Sequence, residues 1–202
     1  MSTANHAETI VSTVARQRAY FRTGATRPVA ARVKALQRLR EEIVAREKIL
    51  LDALEADLNK SHFEGYMCEV GLSLDEIGYL IKKIPQWARP KCRPTPLPQF
   101  AARSYELPKP YGVTLVMSPW NYPILLSLEP LFGAVAAGNC VVLKPSAYAP
   151  NVSHALAELI AAVFPPDWVA VIEGGREQNA ALLEQSFDYI FFTGSVDVGK
   201  LV

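Results

Sequence analysis

From Pro28 onward, apolar residues recur at spacings of three and four: Val29, Val33, Leu36, Leu39 and Ile43. That period is the signature of a helix with one buried face. Pro28 suits a first helical turn, where its missing N–H costs nothing. The pattern resumes at Leu50, Leu54 and Leu58. Arg38 and Glu42 stand at i and i+4 on the polar side, the spacing of a surface ion pair. Ser61 is expected to cap the next helix, and Glu64 stands three residues on to complete a capping box. Val70, Leu74, Ile77, Ile81 and Ile84 then repeat at four, three, four and three. A short helix is also expected over residues 8–22. These helices read as scaffold packing on a larger body.

Pro85 to Pro98 carries five prolines and predicts an extended connection outside any element. Phe100 to Leu107 alternates weakly and predicts one strand, with no obvious hairpin partner after it. Beyond Lys109-Pro110 the texture changes. Short apolar runs at Gly112–Met117, Cys140–Leu143, Trp168–Ile172 and Tyr189–Phe192 alternate with helical segments at Ile124–Ala137, Val152–Val163 and Asn179–Gln185. A further helix is expected from Val196. Strands alternating with helices predict βαβ units and an α/β fold, with a parallel sheet covered by helices on both faces. Ligands of such sheets bind at the carboxyl ends of the strands.

Composition narrows the picture only a little. The 202 residues are half hydrophobic, enough for a sizeable core. The net charge of +1 gives no global field for nucleic acid or an anionic membrane. The local cluster Lys82, Lys83, Arg89, Lys91 and Arg93 reads as a solvated helix end and linker. Cys68, Cys92 and Cys140 have no paired or metal-like spacing, and neither do His6, His62 and His154. The odd cysteine count fits a reducing cytoplasm. Met1 to Glu8 holds no apolar signal core. The most apolar stretch, 112–143, is broken by prolines, Glu129 and Gly138-Asn139, so no membrane span is expected.

Three motifs fall just after predicted strands. Residues 117–123 read Met-Ser-Pro-Trp-Asn-Tyr-Pro, residues 138–146 read Gly-Asn-Cys-Val-Val-Leu-Lys-Pro-Ser, and residues 191–199 read Phe-Phe-Thr-Gly-Ser-Val-Asp-Val-Gly. Asn121, fixed between prolines, is either a rigid amide donor for a developing oxyanion or a turn-forming residue. Lys144 ends a buried strand, where an ammonium is costly without polar partners. It either meets hydroxyls or phosphates of a ligand, or snorkels to water. Gly174-Gly175 either lets a ligand approach the backbone or makes a turn. Thr193-Gly194-Ser195 precedes a helix whose first N–H groups would favour an anion. Gly194, four residues, Gly199 and then Lys200 also satisfy most of a nucleoside-triphosphate phosphate loop, but Leu201 stands where that loop needs Ser or Thr for magnesium. Glu129 reads as a helix-surface carboxylate, and Cys140 as a small core hydrophobe.

Together these segments resemble the aldehyde dehydrogenase superfamily, most closely its class 3 and fatty aldehyde branch. The resemblance runs from the helices after Pro28 to Val202. It implies a Rossmann-like dinucleotide domain over 109–202, N-terminal helices over 1–98 packing on it, and a subunit-bridging strand at 99–108. By resemblance, Asn121 matches the amide that stabilises the oxyanion of the thiohemiacetal. Pro119 and Trp120 match residues lining the nicotinamide path. Lys144, with Ser146 beside it, matches the lysine that contacts the adenosine ribose. Gly174 and Gly175 match a loop near the adenine. Phe192, Thr193, Gly194, Ser195, Val198 and Gly199 match the segment facing the pyrophosphate.

The resemblance implies NAD or NADP as cofactor and oxidation of an aldehyde to a carboxylic acid. Exposed apolar surface and the unpaired edge at 100–107 lead to an expected homodimer or self-association, and the charge and cysteine readings above to no nucleic acid and a cytoplasmic protein. There are two departures. Ala147 stands near the place where many members carry a Glu for the ribose hydroxyls, so NADP is expected to be tolerated. The segments that supply the family's nucleophilic Cys and general-base Glu match nothing in these 202 residues. The chain is therefore expected to be the cofactor-binding portion of such an enzyme and inactive alone. A non-catalytic dinucleotide module and a phosphate-loop hydrolase are the alternatives.

Overall fold

The computed structural model describes residues 3–202, with side chains from Ala7 onward. The imidazole of His6 lies outside the described residues. The chain opens with helices α1 (Thr3–Arg22), α2 (Val29–Ala45) and α3 (Glu47–Leu58). Leu36, Leu39, Ile43, Leu50 and Leu54 of the expected stripes are buried. The two stripes belong to separate helices because the chain turns at Arg46. Pro28 stands one residue before the helix, and the expected helix over 8–22 begins earlier, at Thr3. The expected Arg38–Glu42 pair is replaced by two other contacts. Arg38 donates to the carbonyl of Ala162 at 3.2 Å, and Glu42 pairs with Arg46 at 3.1 Å.

Ser61 caps α4 (His62–Gly65), its Oγ accepting from the Glu64 N–H at 3.2 Å. A π-helical turn, Tyr66–Val70, then leads into α5 (Gly71–Trp87). Pro85 lies inside α5 rather than in the connection. The proline-rich segment also holds a short strand, β1 (Lys91–Arg93), which pairs antiparallel with β2 (Ser104–Glu106). The strand expected over 100–107 thus contracts to three residues, and its partner precedes it in the sequence. Arg93 stands opposite Ser104 and reaches diagonally across this ribbon to Glu106 as an exposed ion pair.

The rest alternates as the apolar runs predict: β3 (Val113–Met117), α6 (Leu125–Ala137), β4 (Cys140–Lys144), α7 (Pro150–Val163), β5 (Val169–Val171), α8 (Arg176–Leu183), β6 (Tyr189–Phe192) and α9 (Val196–Gly199). The four later strands form one parallel sheet in the order β5-β4-β3-β6. Strand residues alternate between faces. Leu115, Met117 and Val142 meet Ile10, Val14 and Leu182 from α1 and α8. Val116, Val141 and Leu143 join the larger core under α2, α3, α5, α6 and α7. Each fully buried aliphatic side chain contributes about 1.5–3 kcal/mol, so the larger core dominates stability.

Polar ties fix α1 against the sheet, Arg16 pairing with Asp167 at 3.1 Å just before β5. The buried Gln17 amide donates to the carbonyls of Val141 and Pro166, at 2.8 and 3.2 Å. Arg18 pairs with Asp188 at 3.1 Å, just before β6. The outer strand β6 is different. Tyr189, Ile190 and Phe191 are all exposed on this edge.

Candidate active site

The sheet register brings three strand ends into one row. Met117 stands opposite Lys144 on one side and Phe192 on the other. Backbone bonds extend the row past the strands. Ser118 N–H donates to the Lys144 carbonyl at 3.2 Å, and Thr193 N–H donates to the Met117 carbonyl at 3.1 Å. The chain runs outward through β3, β4 and β5, then returns to place β6 on the far side of β3. This reversal is the topological switch point at which open α/β sheets bind ligands. The segment bearing Pro119, Trp120 and Asn121 leaves from one wall of that crevice. The segment bearing Thr193, Gly194 and Ser195 leaves from the other.

Lys144 is the most constrained cation of this edge. It is 3 % exposed, and its Nζ donates to the Pro145 carbonyl at 2.6 Å. Burial pulls its pKa down to about 8, while the Glu173 carboxylate opposes the shift. An ammonium has three N–H donors, and among the described residues one is met, by a backbone oxygen. The site therefore has the polar demand that a ribose hydroxyl would satisfy. Ser146 lies just beyond, half-buried, its Oγ accepting from the Tyr148 N–H at 3.2 Å. Ala147 is exposed in the same turn.

Asn121 is exposed, and its side-chain amide makes no hydrogen bond among the described residues. Its backbone is held firmly from below. Lys60 Nζ donates to the Asn121 carbonyl at 2.7 Å and to Glu69 Oε1 at 2.6 Å. The same Nζ lies 4.1 Å from the centre of the Tyr122 ring, a cation–π distance. Glu69 is fully buried, and its Oε2 accepts from the N–H groups of Ile124 and Leu125, at 2.8 and 3.3 Å. These are orphan donors at the start of α6, where a negative charge is also favoured by the helix dipole. Sequence reading missed Lys60 and Glu69. The available signal was a carboxylate directly beside Val70, on the apolar side of the helical pattern.

The other matched residues form shallower ground. Gly174 has φ +126, and a Cβ there would lie 2.5 Å from the Gln178 side chain. Gln178 accepts from the Gly175 N–H at 2.9 Å and closes the start of α8. Ser195 caps α9, its Oγ accepting from the Val198 N–H at 3.3 Å. The Phe192 ring packs against Gly194. Val198 and Gly199 are exposed. Residues 196–199 are helical where a phosphate loop would have to wrap a triphosphate, and Lys200 closes that helix instead of opening one. The geometry therefore removes the nucleotide-hydrolase alternative.

Glu129 is half-buried, and burial, then the charge of Glu76, raises its pKa. Cavities among the described residues lie away from the strand-end row. One of about 490 Å³ sits between α5, α6 and the 108–110 segment, beside Arg32 and Trp87. One of about 320 Å³ opens on the sheet face next to β6, between Tyr111, Val116 and Phe191.

The sequence matches the aldehyde dehydrogenase family profile over residues 2–202. The 4,4'-diaponeurosporen-aldehyde dehydrogenase of Staphylococcus aureus is 41% identical over 185 residues, covering 92% of this chain and 40% of that protein. The dimeric NADP-preferring aldehyde dehydrogenase of Canis lupus familiaris is 41% identical, covering 96% and 43%. Human aldehyde dehydrogenase family 3 member B1 is 42% identical, covering 94% and 41%. Among solved structures, the substrate-bound state of Staphylococcus aureus AldH superposes with a TM-score of 0.92 at 40% identity, over 95% of this chain and 42% of the other. The chain thus spans about two-fifths of the length of these relatives. With this fold, this strand-end row and these matches together, the chain belongs to the aldehyde dehydrogenase family.

Proposed function

We propose that this chain is the dinucleotide-binding portion of an NAD(P)-dependent aldehyde dehydrogenase, the enzyme class that oxidises an aldehyde to a carboxylic acid. The observation that carries the reading is Lys144: a buried amine on the switch-point edge whose Nζ has one acceptor, a backbone carbonyl, among the described residues. In this reading Lys144 and Ser146 hold the adenosine ribose, and Gly174 and Gly175 lie toward the adenine. Gly194 and Ser195 lie along the pyrophosphate, followed by Val198 and Gly199, with Phe192 and Thr193 supporting that wall. Pro119 and Trp120 line the path to the nicotinamide. When bound, the nicotinamide would supply a hydride acceptor. Asn121 would donate its side-chain N–H to the oxygen of the reacting carbonyl, stabilising negative charge that develops there.

No residue among the 202 is matched to the nucleophilic thiol or to the general base, so this chain alone would bind cofactor without turnover. A non-catalytic dinucleotide module makes the same prediction for these residues. The exposed apolar edge of β6 favours self-association. The β1–β2 ribbon, with Tyr105 exposed, is proposed to bridge subunits.

Ala147 places no carboxylate in the turn after Lys144, so a 2′-phosphate would meet little repulsion there. The test is equilibrium dialysis of the chain with NAD and with NADP. Comparable affinities support the reading. Binding of NAD with exclusion of NADP counts against the role given to Ala147, and binding of neither counts against the whole site.

A further inference from the structure

Lys60 and Glu69 lie under the turn that carries Asn121, outside the dinucleotide surface. We propose that they are positioning residues: a largely buried ion pair that fixes the backbone of residues 121–125 and so aims the Asn121 amide. The functional half of this inference rests on reading Asn121 as the oxyanion donor.

Asn121 is held through its main chain. Its side chain is unbonded among the described residues, so its direction depends on its backbone. That backbone is gripped from one side by two side chains. Lys60 takes the Asn121 carbonyl and covers the Tyr122 ring. Glu69 takes the Ile124 and Leu125 amides. The 2.6 Å bond between Lys60 and Glu69 couples the two grips. Four residues of one short segment thus depend on a single pair.

Stability alone does not explain such a pair. Replacing a buried ion pair by apolar groups of similar volume is often neutral or stabilising. An apolar pair, however, would accept no amide and donate to no carbonyl. The backbone from which Glu69 projects is also unusual. It lies in the π-helical turn Tyr66–Val70, where Gly71 N–H reaches back five residues to the Tyr66 carbonyl. Single π turns recur at functional sites because they re-aim side chains within a helix. A donor to a developing oxyanion must be held in place before reaction, and this pair supplies that rigidity.

The test uses the ¹⁵N-labelled chain, with amide exchange and the Asn121 side-chain signals as readouts. In Glu69→Gln and Lys60→Met, the Ile124 and Leu125 amides should exchange at least about tenfold faster. Exchange in Val141–Leu143 should stay unchanged, and the Asn121 signals should shift and broaden. Lys60→Arg should restore part of the wild-type pattern. Uniform acceleration through the sheet, or no change at 121–125, would overturn the proposal. If Lys60→Met does not fold, Tyr122→Leu still decides. It removes only the ring beside Nζ, so the Asn121 signals should move while Ile124 exchange stays put; unmoved signals would overturn the proposal. Saturating NAD added to the wild type separates the two readings. Cofactor binding that leaves Asn121 unperturbed sinks its assigned role, whereas the exchange result judges the positioning pair by itself.

Discussion

Lys144 donates its Nζ proton to the carbonyl of Pro145, its immediate neighbour, at 2.6 Å and almost out of contact with solvent. The folded chain releases a proton from this amine at about 8, against an ordinary 10.5. Between those values the unfolded state binds more protons, so rising pH favours folding. Below pH 8 the full cost of the buried charge is present. Lys144→Met should therefore stabilise the chain by roughly 2–3 kcal/mol at neutral pH. That advantage should fade as the pH rises from about 8 to 10.5. Paired urea titrations of the two proteins across this range check it. A difference independent of pH would mean that the amine is not held at a depressed pKa.

Gly112 should not tolerate a side chain. Its φ is +146, and a Cβ would lie 2.2 Å from Asp188 Oδ2. That oxygen accepts from the Val113 N–H at 2.8 Å, and its carboxylate pairs with Arg18 of α1. Gly112→Ala combines backbone strain with loss of a charged hydrogen bond, for a destabilisation of about 3 kcal/mol. In an Asp188→Ala background the same substitution should cost measurably less. A double-mutant cycle followed by thermal unfolding decides, and equal costs in both backgrounds would refute the steric account.

The three thiols should separate by reactivity. Burial, then the charge of Asp167, pushes the Cys140 thiol up to about 12, whereas Cys92 is exposed and Cys68 half-buried. Only a thiolate reacts readily. At pH 8, alkylation should label Cys92 first and leave Cys140 untouched until the chain unfolds. Mass spectrometry of timed samples reads the order directly. Early labelling of Cys140 would contradict the packing of β4.

The parallel sheet was legible because each of its strands is a compact apolar run set off by breakers. Val141 to Leu143 are fully buried, so composition alone betrays them. The strand β1 was not legible. Lys91, Cys92 and Arg93 are exposed, flanked by prolines, and held by pairing to residues 104–106. Pro85 misled in the opposite direction, since a proline in the last turn of α5 resembles a boundary. At the site, Asn121 and Lys144 stood out because polar residues follow strands. Glu69 did not, because what defines it is contact with amides 55 and 56 residues away. Such a contact exists only once α6 has packed against α5.

The central claim is that the strand-end row binds a nicotinamide dinucleotide. Its most direct test is a titration of the purified chain with NAD and NADP, followed by intrinsic tryptophan fluorescence. Trp120 is 54% exposed beside Asn121 and reports on the crevice. Lys144→Ala and Ser195→Asp serve as controls, one removing the buried amine and the other placing a negative charge at the start of α9. The account predicts saturable quenching by the wild type that is lost in both variants. A well-folded wild-type chain that shows no saturable response to either dinucleotide would contradict it.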